Sequence, residues 1–258
     1  MFLEKVAALK MEEVQKRKKS SLIKEMKKRI AGLSPPRNLL ESIAKSAPMA
    51  LIAEIKRASP SAGIILKNAD VSAIAREYQD GGASAISVLT EGHFFGGDLG
   101  HLAQVKEKVK LPLLQKDFII DPFQIYEGRI AGADAVLLIA AILGGAQIRE
   151  FAGLAGDLRM TPLVEIHDDD DLRKISDFSL PLIGINNRNL KTLEVGLKAT
   201  HHLIKKIPQG AMVISESGIK SREDVESLQE AGVSGILVGE ILMRAPDRAA
   251  KIRELLNL

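Results

Sequence analysis

The 258-residue chain contains no cysteine and no tryptophan, and its aromatic content is only 3%. Without cysteine there are no disulfides, no thiol nucleophile and no thiolate metal site, a composition that fits a cytoplasmic enzyme. So few rings leave little on which exposed bases could stack. Charge of one sign is also scarce. Lysine plus arginine outnumber aspartate plus glutamate by 36 to 33, and an excess of +3 is too small to predict a nucleic-acid partner. An anionic small molecule suits this balance better. No apolar run approaches the roughly 20 residues that cross a bilayer, so no membrane partner is expected. The opening Met1-Phe-Leu-Glu-Lys5 has no basic segment leading into an apolar stretch and does not read as a secretory signal. The five histidines show no H-x-x-x-H spacing, so no metal is expected.

What is present is enough apolar residue, 46%, to fill the core of a full domain. Residues 2–30 read as one helix, with Leu3, Val6, Leu9 and Val14 among charges, ending near Ala31-Gly32 before Ser34-Pro-Pro36. Its basic run Lys16-Arg-Lys-Lys19 is the best local case for RNA or a membrane surface, but a solvated helix face is the simpler reading. From residue 51 a rhythm of short apolar strand, polar turn and amphipathic helix takes over. It predicts strands at 51–55, 85–89, 111–115, 134–138, 161–165, 182–186, 211–215 and 235–239. Helices are expected near 71–80, 99–109, 122–131, 146–157, 168–176, 195–206, 221–231 and 246–256. Such alternation implies parallel βαβ units.

One pattern recurs where a helix hands over to a strand: Gly82-Ala-Ser-Ala-Ile86, Gly132-Ala-Asp-Ala-Val136 and Gly232-Val-Ser-Gly-Ile236. Their glycines are separated by 50 and then 100 residues. With units of about 25 residues, those gaps are two and four βα units, and eight units fill a closed barrel. An open doubly wound sheet is the alternative, although no G-x-G-x-x-G follows residue 55. The expectation is therefore an α/β fold, a (β/α)8 TIM barrel forming a single domain over residues 1–258. Residues 1–48 would be an N-terminal helical extension.

In such a barrel the site forms at the C-terminal ends of the strands. Strand one ends in Glu54 and Lys56, which share a face because strand residues i and i+2 point the same way. A structural ion pair and a ligand site are both open readings of that pair. Strand three runs Leu113-Leu-Gln-Lys116-Asp117-Phe118, and strand five Leu163-Val-Glu165-Ile-His167. Strand six ends Asn186-Asn187-Arg188-Asn189, and strand seven Ser215-Glu216-Ser217-Gly218. Single cases such as Asn187 or Asp117 are better read as satisfied structural groups. Lysines and carboxylates facing one cavity, however, form an acid–base set. Ser217-Gly218-Ile219 and Val238-Gly239-Glu240 follow strands seven and eight, where barrels hold phosphate on backbone N–H groups and a short helix's N-terminus. Helix-capping glycines are the alternative. Ser59 or Ser61 would add a hydroxyl from the first loop.

Taken in order, four segments resemble those of the indole-3-glycerol phosphate synthase family: Ile52-Ala-Glu-Ile-Lys-Arg-Ala-Ser-Pro-Ser61, Lys116-Asp-Phe-Ile-Ile-Asp-Pro-Phe-Gln-Ile-Tyr126, Gly184-Ile-Asn-Asn-Arg-Asn-Leu190 and Ser215-Glu-Ser-Gly-Ile219. The resemblance implies a (β/α)8 barrel with an N-terminal helical segment. It also implies a phosphosugar substrate, 1-(2-carboxyphenylamino)-1-deoxyribulose 5-phosphate, closed to indole-3-glycerol phosphate with decarboxylation and dehydration and with no cofactor. Other tryptophan-pathway enzymes are the protein partners it suggests. By position, Lys116 matches the general acid that protonates the ketose carbonyl, and Glu165 a partner in later proton transfers. Glu54 and Lys56 match the strand-one pair; the division of acid and base steps between Lys56 and Lys116 stays open. Asn186 and Arg188 match residues that position carboxylate and hydroxyls, and Glu216 and Ser217 the strand-seven motif. Ser59, Gly218, Gly239 and Glu240 match the phosphate site, Glu240 through its backbone N–H. Phe94, Phe95 and Phe118 are candidates for the anthranilate pocket, with core packing as the alternative. The second loop departs from the family at His93 and Asp98, where lysine and serine are common, and Gln115 stands where arginine is often seen.

Two rivals accompany this reading. One is another phosphosugar barrel, an isomerase or a Schiff-base aldolase using Lys56 or Lys116. The other is a noncatalytic phosphate- or RNA-binding barrel, motivated by the basic N-terminal helix.

Overall fold

A strand whose inward side chains pack a barrel while its outward ones pack helices must be apolar on both faces. Eight such strands form the centre of the computed structural model, which describes residues 2–18, 22–189, 192 and 194–258. They are β1 (Ala50–Ile55), β2 (Ala85–Leu89), β3 (Leu113–Lys116), β4 (Ala135–Ile139), β5 (Thr161–Ile166), β6 (Leu182–Asn186), β7 (Met212–Glu216) and β8 (Gly235–Val238). Each pairs in parallel with its sequence neighbour, and β8 pairs with β1 through Ala50↔Gly235 to Ala53↔Val238, which closes the barrel. Helices cover the outside, as the alternation predicts.

The two-residue period sorts each strand. Leu51, Ala53 and Ile55 of β1 join the layer under the helices, whereas Ala50 and Ile52 join Leu114, Leu163, Leu182, Ile214 and Leu237 inside the barrel. Continuing the inward series by two brings Glu54, Lys116, Glu165, Gly184 and Glu216 inward at the top of the barrel. The charges are thus at the C-terminal end because the apolar stack fills the barrel below them.

The strand boundaries expected from sequence hold to within two residues. The third strand begins at Leu113 rather than 111, after Pro112, which has no N–H to donate to the ladder. Several helices differ more. The single helix expected over 2–30 is two, Phe2–Arg17 and Leu22–Ala31, with residues 19–21 outside the described residues, followed by a third at Leu39–Lys45. The last helix, expected at 246–256, is preceded by a short one at Glu240–Arg244, and Pro246 separates it from Arg248–Leu256. The helix expected at 195–206 is shortened to Lys198–Leu203 with a 3-10 turn, because Val195 instead bridges Arg188 in an antiparallel pairing.

The N-terminal helices are tied to the barrel at both ends. Ser42 donates to the Ser84 carbonyl ahead of β2, and Arg37 donates to the carbonyls of Leu111 and Lys106. Val14 and Met26 pack on Phe123 and Tyr126 of the helix Pro122–Ala131. The basic run contributes to the same contact, with Arg17 paired to Glu127 at 3.1 Å and Lys18 to Asp121 at 2.7 Å. Lys19 lies outside the described residues. Most important is Lys10, only 4% exposed, which meets Asp117 at 3.0 Å directly after β3. Asp117 also accepts from Thr90 Oγ1 at 2.5 Å and from the Phe118 N–H at 2.8 Å, the structural role favoured from the sequence. Among the described residues no helix is long and apolar enough to cross a membrane.

Removing one member of a buried ion pair strands the other charge, at a cost of about 3 kcal/mol or more. Lys10→Met is expected to lower the unfolding free energy by about that amount in a denaturant titration, and Lys10→Met/Asp117→Asn to recover part of the loss. A loss below about 0.5 kcal/mol would show that the pair does not hold the extension.

Candidate active site

Lys116, the last residue of β3, reaches across the top of the barrel to two carboxylates. Its Nζ lies 3.1 Å from Glu165 Oε2 and 2.7 Å from Glu216 Oε2. On the first strand, Lys56 Nζ meets Glu54 Oε1 at 2.7 Å, the same-face pairing expected from their spacing. Two glycines give these carboxylates room. A Cβ on Gly184 would collide with Glu216 Oε1, and one on Gly239 with Glu54 Oε1. Asn186 ends β6, and its side-chain oxygen accepts from the Arg188 N–H at 3.0 Å, turning the chain over the cavity. Beneath that turn Asn187, 4% exposed, donates to Ser215 Oγ and to the carbonyls of Glu216 and Ser217, and accepts from Thr200. It is a satisfied structural group, as the sequence reading preferred.

Burial and neighbouring charge set the proton affinities here. Burial disfavours the Lys116 ammonium, but Glu165, Glu216 and Glu54 outweigh this and hold it well above the ordinary lysine value. Burial pushes Glu216 up; Lys116 opposes this and Glu165 adds to it, leaving Glu216 at about 7. Glu165 is driven up by burial too, yet Lys116 and then His167 bring it below the ordinary glutamate value. Two carboxylates on one ammonium therefore differ in protonation, the condition for an acid and a base at neutral pH.

Two connected cavities meet at this centre. The larger, about 630 Å³, is the more polar of the two and is bounded by Glu54, Lys56 and the turns after β7 and β8. Ser59, Ser217, Gly218, Gly239 and Glu240 lie on its walls, and Arg188 is shared with the second cavity. Ser217 and Gly218 both have positive φ, 65° and 84°, so the backbone bends sharply after β7. Gly218 has no space for a Cβ against Val195. The Glu240 carboxylate turns aside to Arg244 at 3.0 Å, leaving its backbone at the start of the short helix Glu240–Arg244. The second cavity, about 230 Å³, is largely apolar, with Phe95, Phe118, Leu137 and Leu3 on its walls and Glu165 and Lys116 at its edge. Phe95 and Phe118 tilt together with centroids 6.2 Å apart.

Every residue given a catalytic or binding role from the sequence thus lies on one of these two cavities except Phe94, a half-buried ring that packs against the apolar cluster inside the barrel, the core-packing alternative. Sequence reasoning passed over His167. Its imidazole is buried against Glu165, with Nε2 at 3.3 Å from Oε1, and its Nδ1 lies 3.3 Å from Asp171 Oδ2. The search for metal spacing hid a different signal, Glu165-x-His167 at a strand end followed by Asp171 four residues on. The loop departures also have partners: His93 meets Glu13 of the first helix at 2.7 Å, and Asp98 caps Gly100 at 2.7 Å.

The fold and this centre define a (β/α)8-barrel enzyme with acid–base side chains at the strand ends and a cavity part polar, part apolar. The sequence places it more narrowly. The family model for indole-3-glycerol phosphate synthase matches residues 3–255. Indole-3-glycerol phosphate synthase of Desulforamulus reducens is 42% identical over 256 residues, covering 99% of this chain and 97% of that protein. That of Acetivibrio thermocellus is 43% identical over 256 residues, covering 98% of each chain. That of Sulfurimonas denitrificans is 49% identical over 208 residues, covering 81% and 79%. The chain belongs to the indole-3-glycerol phosphate synthase family. Among solved structures, 3-hexulose-6-phosphate synthase from Salmonella typhimurium shares the fold with a TM-score of 0.66 at 16% identity, covering 81% of this chain and 97% of that one. A tryptophan synthase α-subunit from Pyrococcus furiosus does so at 0.61 and 17%, covering 81% and 98%.

A carboxyl whose folded-state value is raised stabilises the fold below its unfolded value, and that contribution is lost as pH rises through the folded value. For Glu216 the window runs from 4.5 to about 7. Glu216→Gln has no such proton to lose. Its Tm relative to the parent is expected to become more favourable as pH rises through this window; a difference independent of pH would contradict the assignment.

Proposed function

We propose that the strand-end residues of this chain carry out its family's reaction as follows. The substrate is 1-(2-carboxyphenylamino)-1-deoxyribulose 5-phosphate and the product indole-3-glycerol phosphate, a step of tryptophan biosynthesis catalysed by a carboxy-lyase. The aromatic carbon bearing the carboxylate bonds to the ketose carbonyl carbon, whose oxygen takes a proton; carbon dioxide leaves, and water is then lost to give the indole. Catalysis of this kind needs a cation where the carbonyl oxygen becomes negative and a proton donor and acceptor beside it.

Lys116 is the general acid at that oxygen. The observation that carries this reading is its place between Glu165 and Glu216 at the junction of the two cavities. A developing alkoxide is far more basic than the amine, so a firmly held proton still transfers at the moment it is needed. Glu165, kept ionised, takes up protons during dehydration. Lys56, steadied by Glu54, lies in the same cavity two strands away and serves the same carbonyl as substrate binder or second donor. Asn186 and Arg188 orient the substrate carboxylate and hydroxyls.

The two cavities suit the two ends of the substrate. Phe118, with Phe95, takes the anthranilate ring in the apolar one. Backbone N–H groups at Gly218, Gly239 and Glu240, with Ser59 and Ser217, take the phosphate in the polar one, where a bent backbone and a helix start favour an anion. Leu3 of the first helix lies on the wall of the apolar cavity, so the extension completes the ring's pocket.

The test is conversion of the substrate to indole-3-glycerol phosphate, followed by indole fluorescence. Lys116→Ala is expected to lower kcat by at least about 1000-fold with the fold retained, since one group supplies both charge and proton. Near-normal kcat would overturn the assignment of the acid. Deleting residues 1–40 is expected to raise KM; unchanged kinetics would make the extension a structural cap only.

A further inference from the structure

Lys116 alone would favour ionisation of the wrong carboxylate. Its Nζ is closer to Glu216, at 2.7 Å, than to Glu165, at 3.1 Å. Both carboxylates are almost fully buried, so solvent does not separate them. Beside the interaction of the two carboxylates with each other, their surroundings differ by a second basic group that touches only one. His167 Nε2 lies 3.3 Å from Glu165 Oε1, buried and aimed at the carboxylate without the alignment of a hydrogen bond, while Glu216 Oε1 accepts no hydrogen bond from the described residues.

We propose that His167, held by Asp171, is the positioning residue that makes Glu165 rather than Glu216 the ionised carboxylate beside Lys116. Asp171 sets both the place and the charge of the ring. Its Oδ2 accepts from the His167 backbone N–H at 3.1 Å and lies 3.3 Å from Nδ1, and its Oδ1 is tied to Lys174 at 3.1 Å. Asp171 is itself held by its backbone N–H donating to Asp168, the cap of the helix Asp169–Ile175. With Nδ1–H directed at Asp171, the other ring nitrogen faces Glu165. A protonated ring is favoured there because carboxylates flank both edges, although burial works against it.

The charged groups around His167 come from every side. Glu165, Glu216 and Lys116 face it from the barrel, Asp171 and through it Lys174 from the following helix, and Arg188 from the end of β6. Asp168, Asp170, Glu194 and Lys198 line the outer cavity onto which it opens. The nearest of these are carboxylates, so the surroundings as a whole hold the imidazolium.

This inference rests on the acid–base role given to Glu165, and its test separates the two. Carboxyl carbon NMR titration of the whole protein, with Glu165 and Glu216 assigned through Glu165→Gln and Glu216→Gln, reads the asymmetry whatever happens to turnover. In the parent, Glu165 is expected to titrate below Glu216, and in His167→Gln the gap is expected to narrow. In the pH profile of kcat/KM, the acid limb of His167→Gln is expected to move up by about one pH unit, equivalent to about a tenfold loss on the acid side and little loss above the limb. Asp171→Asn, which keeps the ring but removes its anchor, is expected to shift the limb in the same direction by less. An unchanged gap and an unmoved limb in both variants, each folded by circular dichroism, would overturn the proposal even if kcat fell. Near-normal turnover by Glu165→Gln would instead remove the role of Glu165 and leave the titration result standing.

Discussion

A single buried ammonium, that of Lys116, organises the top of this barrel. Its charge is tolerable there because Glu165 and Glu216 converge on it, and the buried charge of Glu165 is tolerable because it is present. Neither carboxylate reaches it without the barrel's closure, which sets β3, β5 and β7 around one axis. Gly184 and Gly239 then keep the backbone clear of the carboxylates. Strand register, small residues and charge are one arrangement.

The helical extension is bound into the same arrangement. Lys10 is anchored to Asp117, the residue after Lys116, and Asp117 also takes the Thr90 hydroxyl from the second loop. His93 in that loop reaches Glu13 of the same helix, so helix, loop and β3 share one network. The chemical centre and its cover are therefore held by adjacent residues of one strand end, and the apolar pocket, with Leu3 and Phe118 on its walls, lies between them.

Much of this was legible in the sequence, and for definite reasons. Apolar runs bounded by turns located the eight strands, and the i, i+2 rule aligned Glu54 with Lys56. Chain order at the strand ends brought distant residues such as Lys116 and Glu216 to one cavity. What pattern alone did not reveal was which of them touch, since Lys116 and Glu165 are brought together by the barrel rather than by local spacing. The helix read across 2–30 had no glycine or proline to mark its interruption. The role of His167 was missed because metal spacing was sought where a carboxylate–imidazole–carboxylate row was present. Lys16-Arg-Lys-Lys19 read as a solvated face, and Lys16, Arg17 and Lys18 are exposed as expected; the pairing of Arg17 and Lys18 with Glu127 and Asp121 was not legible, because sign and spacing do not name the partner.

The central claim is that Lys116 stays charged because two carboxylates hold it. Nitrogen NMR of the Lys116 side chain, assigned through Lys116→Arg, tests this directly. The ammonium signal is expected to persist at pH values above the ordinary lysine value of 10.5, and to titrate lower in Glu165→Gln and Glu216→Gln. Titration at or below the ordinary value in the parent, unaltered by either substitution, would contradict the account.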